Sequence, residues 1–396
     1  MRRLLLLASA VVFVDTAFYA AITPLLPRYV EDLGITKSAA GMLSAAYPAG
    51  TFLGALPGGW LAARAGVRPT TLIGLGVMAA ASVAFAFGSS IEVLDAARFV
   101  QGVGGAMTWA GALGWLIGEA PRERRGELIG SAMGAAIVGA LFGPVLGAIA
   151  DAAGPEPVFS GVGVVALGLM GWTLRTPARR PAPPPRLATL LEAVRDPGVL
   201  TGLWLMSLPG LLFGTLNVLG PLRMDELGAG AAVIAGCFLV AAGLEAIVAP
   251  VVGRISDRRG RLAPALAGLA AGAVVMALLP WPSASWQLGL LIVLAAPAIG
   301  ILWSPAIATL SDGAERHGIE QAIAFALVNV AWAFGQTAGS AGSARLADAT
   351  SDRLPYILLA VACAVTFAIL RSRGRPAVVD AARDGEENPH GNLTPT

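Results

Sequence analysis

Long apolar blocks alternate with short polar connections along this chain. The block from 4 to 26 carries one charged residue, Asp15, and the block from 265 to 279 carries none. A helix needs about 20 apolar residues to cross roughly 30 Å of hydrocarbon. Because such blocks recur throughout, we predict an all-α membrane protein with 12 transmembrane helices. The predicted spans are 4–27, 38–62, 69–89, 92–118, 127–150, 157–175, 197–222, 230–253, 262–281, 286–311, 319–342 and 354–371.

Composition supports a membrane protein and excludes several other classes. Of the 396 residues, 56% are hydrophobic and 13% charged, whereas soluble domains carry about 25% charged residues. Lys37 is the only lysine, which excludes an ATP-binding Walker A loop because that loop needs its own lysine. Cys237 and Cys363 lie in separate apolar blocks and predict neither a disulfide framework nor a metal site. We expect no metal, no other cofactor and no nucleic-acid partner.

The distribution of basic residues predicts the orientation of the chain. Most of the 27 basic residues fall in the termini and in the connections on one side of the predicted spans, and Arg98 lies within a span. Cytoplasmic connections carry the excess of arginine and lysine in membrane proteins. We therefore expect a multi-pass protein of the cell (inner, cytoplasmic) membrane with both termini in the cytoplasm. The opposite side holds only Arg28, Lys37, Arg223, Arg345 and Arg353.

A proline- and arginine-rich segment divides the chain. Residues 176–196 contain a run of prolines and arginines around 179–186, and prolines at that density favour extended, solvated backbone. We predict an N-terminal six-helix bundle at 1–175, a cytoplasmic linker at 176–196, a C-terminal six-helix bundle at 197–375 and a disordered tail at 376–396.

The two predicted bundles repeat each other at an offset of 194 residues. The segment 27–34 resembles 221–228, and Trp109 corresponds to Trp303. A parallel repeat of six helices predicts two pseudo-symmetric bundles with a binding site between them near the membrane midplane. Further pairs at the same offset are Gly59 with Gly253, Arg64 with Arg258, and Gly66 with Gly260.

Two loops carry a family signature. The segment 59–68 resembles the loop between the second and third helices of the major facilitator superfamily, and 253–261 is a fuller copy that includes Asp257 and Arg258. The resemblance implies that these charges gate the transporter by latching one bundle to the other. Alternatively, they only fix the topology. The first copy departs from the pattern, because Ala63 replaces the acid and Val67 replaces a basic residue.

The fourth predicted span resembles another motif of the same family. Arg98, Gln101, Gly105 and Trp109 fall near one face of a helix. An arginine inside the membrane is costly unless it is paired or hydrated. We expect Asp15, near the centre of the first span, to be its partner.

The fifth predicted span carries small residues at every fourth position. Such a ridge predicts close packing against another helix, and Pro144 predicts a kink. The pattern resembles the fifth-helix motif of the family's drug–proton antiporters, which favours export over uptake, although a plain packing face has the same residues. The ridge consists of Ser131, Ala135, Gly139, Gly143 and Gly147.

Two acidic residues inside the membrane are candidates for proton coupling. Asp15 lies in the middle of the first span with Tyr19 one turn further on, and Glu245 lies within the eighth span. Hydrocarbon disfavours the charged form of a carboxylate, so such a group can bind a proton on one side and release it on the other. Asp15 could instead bind a cationic substrate or form a structural ion pair with Arg98.

Other polar and aromatic residues inside the spans are candidates for the substrate cavity. Amide and aromatic side chains offer hydrogen bonds and stacking to amphipathic solutes. Each of them could equally pack between helices. The candidates are Tyr19, Gln101, Trp109, Asn217, Trp303, Asn329, Trp332 and Gln336.

These features predict a secondary transporter that couples the efflux of a small amphipathic or drug-like solute to protons. The alternative is uniport, uptake or export of a metabolite or sugar by the same fold. A sensor or scaffold would need a larger soluble domain, and an enzyme would need a nucleophile–base or metal constellation that we do not find. We expect a monomer whose partners are a small solute, protons and the lipid bilayer.

Overall fold

The computed structural model describes residues 1–121, 124–177, 195–316 and 321–373, and these ranges contain helices and connections but no strand. Most of the predicted linker and the predicted tail lie outside the described residues. The helices are α1 (Arg2–Ala20), α2 (Leu26–Leu33), α3 (Lys37–Ala65), α4 (Val67–Ala86), α5 (Ile91–Glu119), α6 (Arg125–Ala153), α7 (Pro155–Leu174), α8 (Pro197–Glu226), α9 (Ala231–Arg259), α10 (Leu262–Leu278), α11 (Ser285–Gly300), α12 (Trp303–Arg316), α13 (Gln321–Thr337), α14 (Ser343–Ala349) and α15 (Arg353–Arg373).

The first predicted span is interrupted rather than continuous. After α1 ends at Ala20, a 3-10 turn covers Thr23–Leu25 and α2 then runs to Leu33. Pro24 and Pro27 have no N–H group, so the carbonyls four residues before them lose their α-helical donors. The prolines therefore explain the change of helix type at this point.

The tenth predicted span, 286–311, is also two helices. α11 ends at Gly300 and α12 begins at Trp303. Pro305 cannot donate to the carbonyl of Ile301, which explains the break between them. The break places Trp303 at the start of a helix.

The eleventh predicted span is longer than expected. A π-helical turn, Ala338–Gly342, joins α13 to α14, so helical structure continues to Ala349 instead of ending at 342. The π turn lies where α13 and α14 meet α3 and α8.

Helices contact each other mostly within each half of the chain, before and after the segment 178–194. In the first half α5 packs on α3 and α4, α4 on α7, and α1 on α6. In the second half α8 packs on α12 and α13, α9 on α11, and α10 on α15. Across the halves, α3 contacts α13 and α14 while α6 contacts α9, so these helices form the contact between the halves.

Eight helical segments of the described part are long and apolar enough to cross a membrane. Their outward surface includes fully apolar exposed side chains such as Ile247 (71% exposed) and Val164 (68%). An apolar exterior is what contact with lipid requires. The count of 12 spans stays a prediction.

The backbone supports the repeat of 194 residues. Gly34 and Gly228 have positive φ angles of 59° and 83°, and Gly66 and Gly260 have 99° and 84°. Each pair is separated by the repeat offset, and each glycine follows the end of a helix. Glycine adopts positive φ without the penalty that a Cβ atom brings. The two halves therefore share two turns that need glycine.

Candidate functional site

Asp15 lies at the meeting point of three helices. Its carboxylate is buried on α1, and its Oδ2 atom accepts hydrogen bonds from the Tyr47 hydroxyl of α3 (2.7 Å) and from Trp109 Nε1 of α5 (2.8 Å). Its Oδ1 atom is buried and has no hydrogen-bond partner in the part of the chain that the structure describes. One oxygen is thus held by two donors, and the other is buried without a donor from the described residues.

Gly105 makes room for this carboxylate. A Cβ atom at Gly105 would lie 2.7 Å from the Tyr47 hydroxyl and 2.8 Å from Asp15 Oδ1. Both distances are too short for a real Cβ contact. Gly105 and Trp109, two residues of the helix face predicted in the fourth span, therefore lie beside Asp15.

Arg98 has other partners than the one predicted. It is fully buried, and its guanidinium donates to Gln101 Oε1 (2.7 Å) and to the backbone carbonyls of Phe18 (3.3 Å) and Tyr19 (3.0 Å). The prediction of a direct ion pair with Asp15 is wrong, because the guanidinium lies about one turn further along α1. The Tyr47 ring, 5.3 Å from the guanidinium carbon, adds a cation–π contact.

Tyr19 connects the Asp15 cluster to the second half of the chain. Its ring lies 4.8 Å from the Tyr47 ring and 5.6 Å from the Trp332 ring. Its hydroxyl accepts a hydrogen bond from Gln336 of α13 and interacts with Asn217 of α8. Four of the predicted cavity residues, Tyr19, Asn217, Trp332 and Gln336, are therefore neighbours. Asn329 is half-buried on α13.

Glu245 forms a second cluster within the second half. Its Oε1 atom accepts a hydrogen bond from Trp303 Nε1 (2.8 Å). The Trp303 ring stacks on Phe213 of α8, with centroids 5.8 Å apart and planes 3° from parallel. Gly300 borders the carboxylate, since a Cβ atom there would lie 2.8 Å from Oε1. Among the described residues, Glu245 and Asp15 share no hydrogen-bond partner.

Sequence reasoning missed Tyr47 and Phe213. Tyr47 lies within a predicted span. A hydroxyl in hydrocarbon needs a hydrogen-bond partner, so its position could have marked Tyr47 as a candidate site residue. Phe213 is one of many apolar residues in its span, and nothing in the sequence marked it.

A third group of polar residues joins the halves at one end of the molecule, and the sequence did not indicate it. Lys37 at the start of α3 forms ion pairs with Glu226 (2.9 Å) and Asp352 (2.7 Å) of the second half. The Ser38 amide donates to Asp348 (2.6 Å). Partial burial lowers the pKa of Lys37, but the hydrogen bonds and charges of the two carboxylates outweigh it and hold this pKa above its ordinary value.

The two signature loops differ in their contacts. In the first copy Arg64 lies 4.5 Å above the Trp60 ring, while a Cβ at Gly59 would meet open space. In the second copy Arg258 is exposed and Gly253 is near Ser304.

The side chain of Asp257 is outside the described residues, so its predicted latch stays a prediction. Arg261, at the end of the same loop, pairs with Asp312 and donates to the Ala308 carbonyl (2.7 Å) within the second half.

The small-residue ridge of α6 packs on α1, the helix that carries Asp15. A Cβ at Gly139 would lie 2.5 Å from the Phe13 carbonyl oxygen, one at Gly143 3.0 Å from the Ala17 carbonyl oxygen, and one at Gly147 2.6 Å from Pro24. Close helix packing through these glycines is therefore confirmed.

Apolar helices that enclose buried charged and aromatic residues are typical of membrane transport proteins. A sequence model of the family described as "Major Facilitator Superfamily" matches residues 7–325. The chain belongs to this superfamily of membrane transporters.

Individual relatives match only part of the chain. Quinolone resistance protein NorA of Staphylococcus aureus (strain MRSA252) is 30% identical over 109 residues, 28% of each chain. The "Uncharacterized MFS-type transporter C18.02" of Schizosaccharomyces pombe is 32% identical over 124 residues, 30% of this chain and 28% of that one. The match thus spans less than a third of either relative.

Solved structures share the fold over nearly the whole chain. A D-xylose-proton symporter superimposes with a TM-score of 0.71 at 17% identity, covering 92% of this chain and 96% of that one. A POT family transporter in complex with 5-aminolevulinic acid gives 0.69 at 15% identity, covering 93% and 95%.

Proposed function

We propose that this transporter exports small amphipathic or drug-like solutes in exchange for protons. The observation that carries the proposal is the buried carboxylate of Asp15, held by Tyr47 and Trp109 and connected through Tyr19 to the second half. Burial disfavours the charged form of a carboxylate, whereas hydrogen-bond donors favour it. A group under both influences can change its protonation during a transport cycle.

In this proposal Asp15 carries the proton and Arg98 tunes it from one turn away. Protonation at Oδ1 would neutralise a charge beside Tyr47, whose ring contacts Tyr19. Tyr19 bonds to Gln336 across the halves, so a shift of its ring would alter the contact between them. The proton and the movement of the halves are thereby coupled through two tyrosines.

The proposal includes the wider architecture predicted from the repeat. Twelve spans form an N-terminal bundle (1–175) and a C-terminal bundle (197–375), which rock around a central solute site and are gated by the two signature loops. We further propose a monomer in the lipid bilayer of the cell inner membrane, with both termini, the linker and the tail in the cytoplasm. Lys37 and Asp352 would then lie on the outer side.

Export is supported by the glycine ridge of α6 and by the partial similarity to a protein named for quinolone resistance. The alternative is uptake, uniport or export of a metabolite or sugar. It is favoured by the fold shared with a protein described as a D-xylose-proton symporter. One fold hosts many substrates, so a transport measurement must decide.

The test uses inverted vesicles with an imposed proton gradient, a pH-sensitive dye and a panel of cationic, neutral and anionic compounds. We expect some compounds to dissipate the gradient with the wild type and not with Asp15→Asn. Glu156→Gln, an exposed acid at the start of α7, is the matched control and should behave as the wild type. Equal responses of wild type and Asp15→Asn would exclude Asp15 as the proton carrier. If the protein is folded but no compound dissipates its gradient, the alternative of uptake, uniport or export of a metabolite or sugar would be favoured.

A further inference from the structure

The turn between α10 and α11 carries two exposed tryptophans beside an open groove. Trp281 follows the end of α10 and is 57% exposed, and Trp286 lies in the first turn of α11 and is 70% exposed. Tryptophan is enriched where membrane spans meet the headgroup layer, because its ring is apolar while its N–H group is polar. These two residues therefore mark the membrane surface. The groove has a volume of about 360 Å³, and its apolar walls include Leu278, Pro282, Leu290 and Leu291.

The groove extends from this surface into one leaflet of the membrane. Its lining residues on α11 run from Trp286 to Leu291, and five residues of α-helix are about 7.5 Å long. The headgroup layer on each side of a bilayer is about 5–7 Å thick. A groove of this length therefore begins beside the headgroups and reaches the first part of the acyl chains.

Arg353 adds a positive charge to one wall of the groove. The residue is exposed, and its guanidinium carbon lies 4.7 Å from the centre of the Trp281 ring. A guanidinium that contacts an aromatic ring through its face keeps the N–H groups at its edge available for hydrogen bonds. Among the described residues, the Arg353 side chain has neither a hydrogen-bond partner nor an ion pair. An anion can therefore bind there without displacing a protein contact.

Most of the basic residues predicted on this side of the membrane have an acidic partner. Arg28, Lys37 and Arg223 each form ion pairs with carboxylates. Asp352, the acid next to Arg353 in the chain, is itself paired with Lys37. The carboxylate closest to Arg353 in sequence is thus engaged elsewhere, and the charge of Arg353 is left for a partner from outside the chain.

We propose that this groove binds an anionic phospholipid, whose phosphate accepts hydrogen bonds from Arg353 and whose acyl chain lies between Trp281 and Trp286. A phosphate matches the guanidinium in charge and in its two-point hydrogen-bond geometry. An acyl chain matches the apolar walls, which a small soluble anion would leave uncovered. The distance from Arg353 to the Trp281 ring is within the thickness of the headgroup layer. The site is independent of the transported solute and of proton exchange.

The test is native mass spectrometry of the purified full-length protein in detergent, titrated with one lipid at a time. The probes are dioleoylphosphatidylglycerol, which is anionic, and dioleoylphosphatidylcholine, which has the same chains and no net charge. We expect the wild type to bind the anionic lipid about fivefold more tightly, the factor that one basic residue near an anionic headgroup contributes. Arg353→Gln should abolish this preference and leave phosphatidylcholine binding within about twofold. Arg353→Lys keeps the charge and should retain the preference.

Two further variants separate the charge from the groove. Trp286→Ala removes one wall of the groove and should weaken both lipids alike, because it reduces the apolar area that an acyl chain covers. Arg345→Gln removes another exposed basic residue of the second half, one that does not line the groove. It should bind both lipids as the wild type does.

Glycerol 3-phosphate distinguishes a lipid site from a site for free phosphate. It carries the phosphate without chains, and we expect it not to displace phosphatidylglycerol at equal concentration. Displacement by it, equal affinities of the wild type for the two lipids, or a preference that survives in Arg353→Gln would overturn the proposal. A dimer that Trp286→Ala dissociates, with no lipid preference in either protein, would also overturn it, because a second copy of the chain would then cover the groove.

Discussion

Lys37 and Asp352, which are 315 positions apart in sequence, form an ion pair of 2.7 Å between the two halves of the transporter. Glu226 shares the same lysine at 2.9 Å, and the Ser38 amide binds Asp348 beside it. Ser44, two turns further along α3, contacts Ser340 of the π turn (3.5 Å). The two halves are therefore in contact at this end, and the proposed rocking of the bundles would have to break these contacts.

Removing the charge of Lys37 should favour opening at this end. Partly exposed ion pairs contribute about 1 kcal/mol or less, so Lys37→Gln should shift the equilibrium roughly fivefold. The measurement is the maleimide labelling rate of Ser44→Cys in a background without Cys237 and Cys363. Ser44 is 6% exposed, so faster labelling reports opening.

Two variants define the specificity of this effect. Arg28→Gln removes ion pairs with Asp32 and Asp151 that stay within the first half, and it should leave the labelling rate unchanged. Lys37→Arg keeps the cation and should label like the wild type. If Lys37→Gln labels no faster than these controls, the ion pairs do not hold this end closed.

Gly105→Ala should disturb the Asp15 cluster. The new methyl group would meet the Tyr47 hydroxyl and Asp15 Oδ1 at 2.7 and 2.8 Å, and overpacking of this kind costs about 1–3 kcal/mol. We expect a lower melting temperature in detergent and impaired proton exchange in vesicles. Gly114→Ala on the same helix is the control, because its methyl group would lie 3.7 Å from Val67, an ordinary contact. Matching behaviour of the two variants would refute the close fit of Gly105 to Asp15.

The sequence predicted the components of the site better than their pairing. Asp15, Arg98 and Trp109 stood out because polar groups within apolar spans require partners. The prediction that Asp15 pairs directly with Arg98 was wrong. Backbone carbonyls of α1 bind the guanidinium instead, and the sequence does not show which backbone groups are available. The ion pairs of Lys37 were equally hidden, because contacts over 315 residues depend on how the halves pack.

The repeat, in contrast, could be recognised from the sequence because it fixes residue types at regular positions. Glycines that need positive φ, such as Gly66 and Gly260, have few substitutes. Helix interruptions at Pro24 and Pro305 were also signalled by the missing N–H group, although the predicted spans did not use that signal.

Gly143→Ala should separate α6 from α1. A Cβ atom at Gly143 would meet Ala20 of α1 and lie 3.0 Å from the Ala17 carbonyl oxygen. Because α1 carries Asp15, we expect a destabilisation of about 1–3 kcal/mol together with reduced transport. Gly134→Ala in the same helix faces open space and should be neutral. Thermal unfolding and the vesicle assay, run on both variants, test this; equal stability of the two would contradict the packing through the ridge.

The hydrogen bond between Gln336 and Tyr19 should be measurable as a coupling between the halves. The single variants Tyr19→Phe and Gln336→Leu each remove one partner, and the double variant should cost less than their sum by about 0.5–1.5 kcal/mol. Free energies of unfolding in mixed detergent micelles give this difference. Tyr19→Phe combined with Thr366→Val is the control cycle, because Thr366 bonds to Trp204 and not to Tyr19. Additivity within about 0.5 kcal/mol is expected there. The same additivity for Tyr19 and Gln336 would mean that protonation of Asp15 cannot reach the second half by this route.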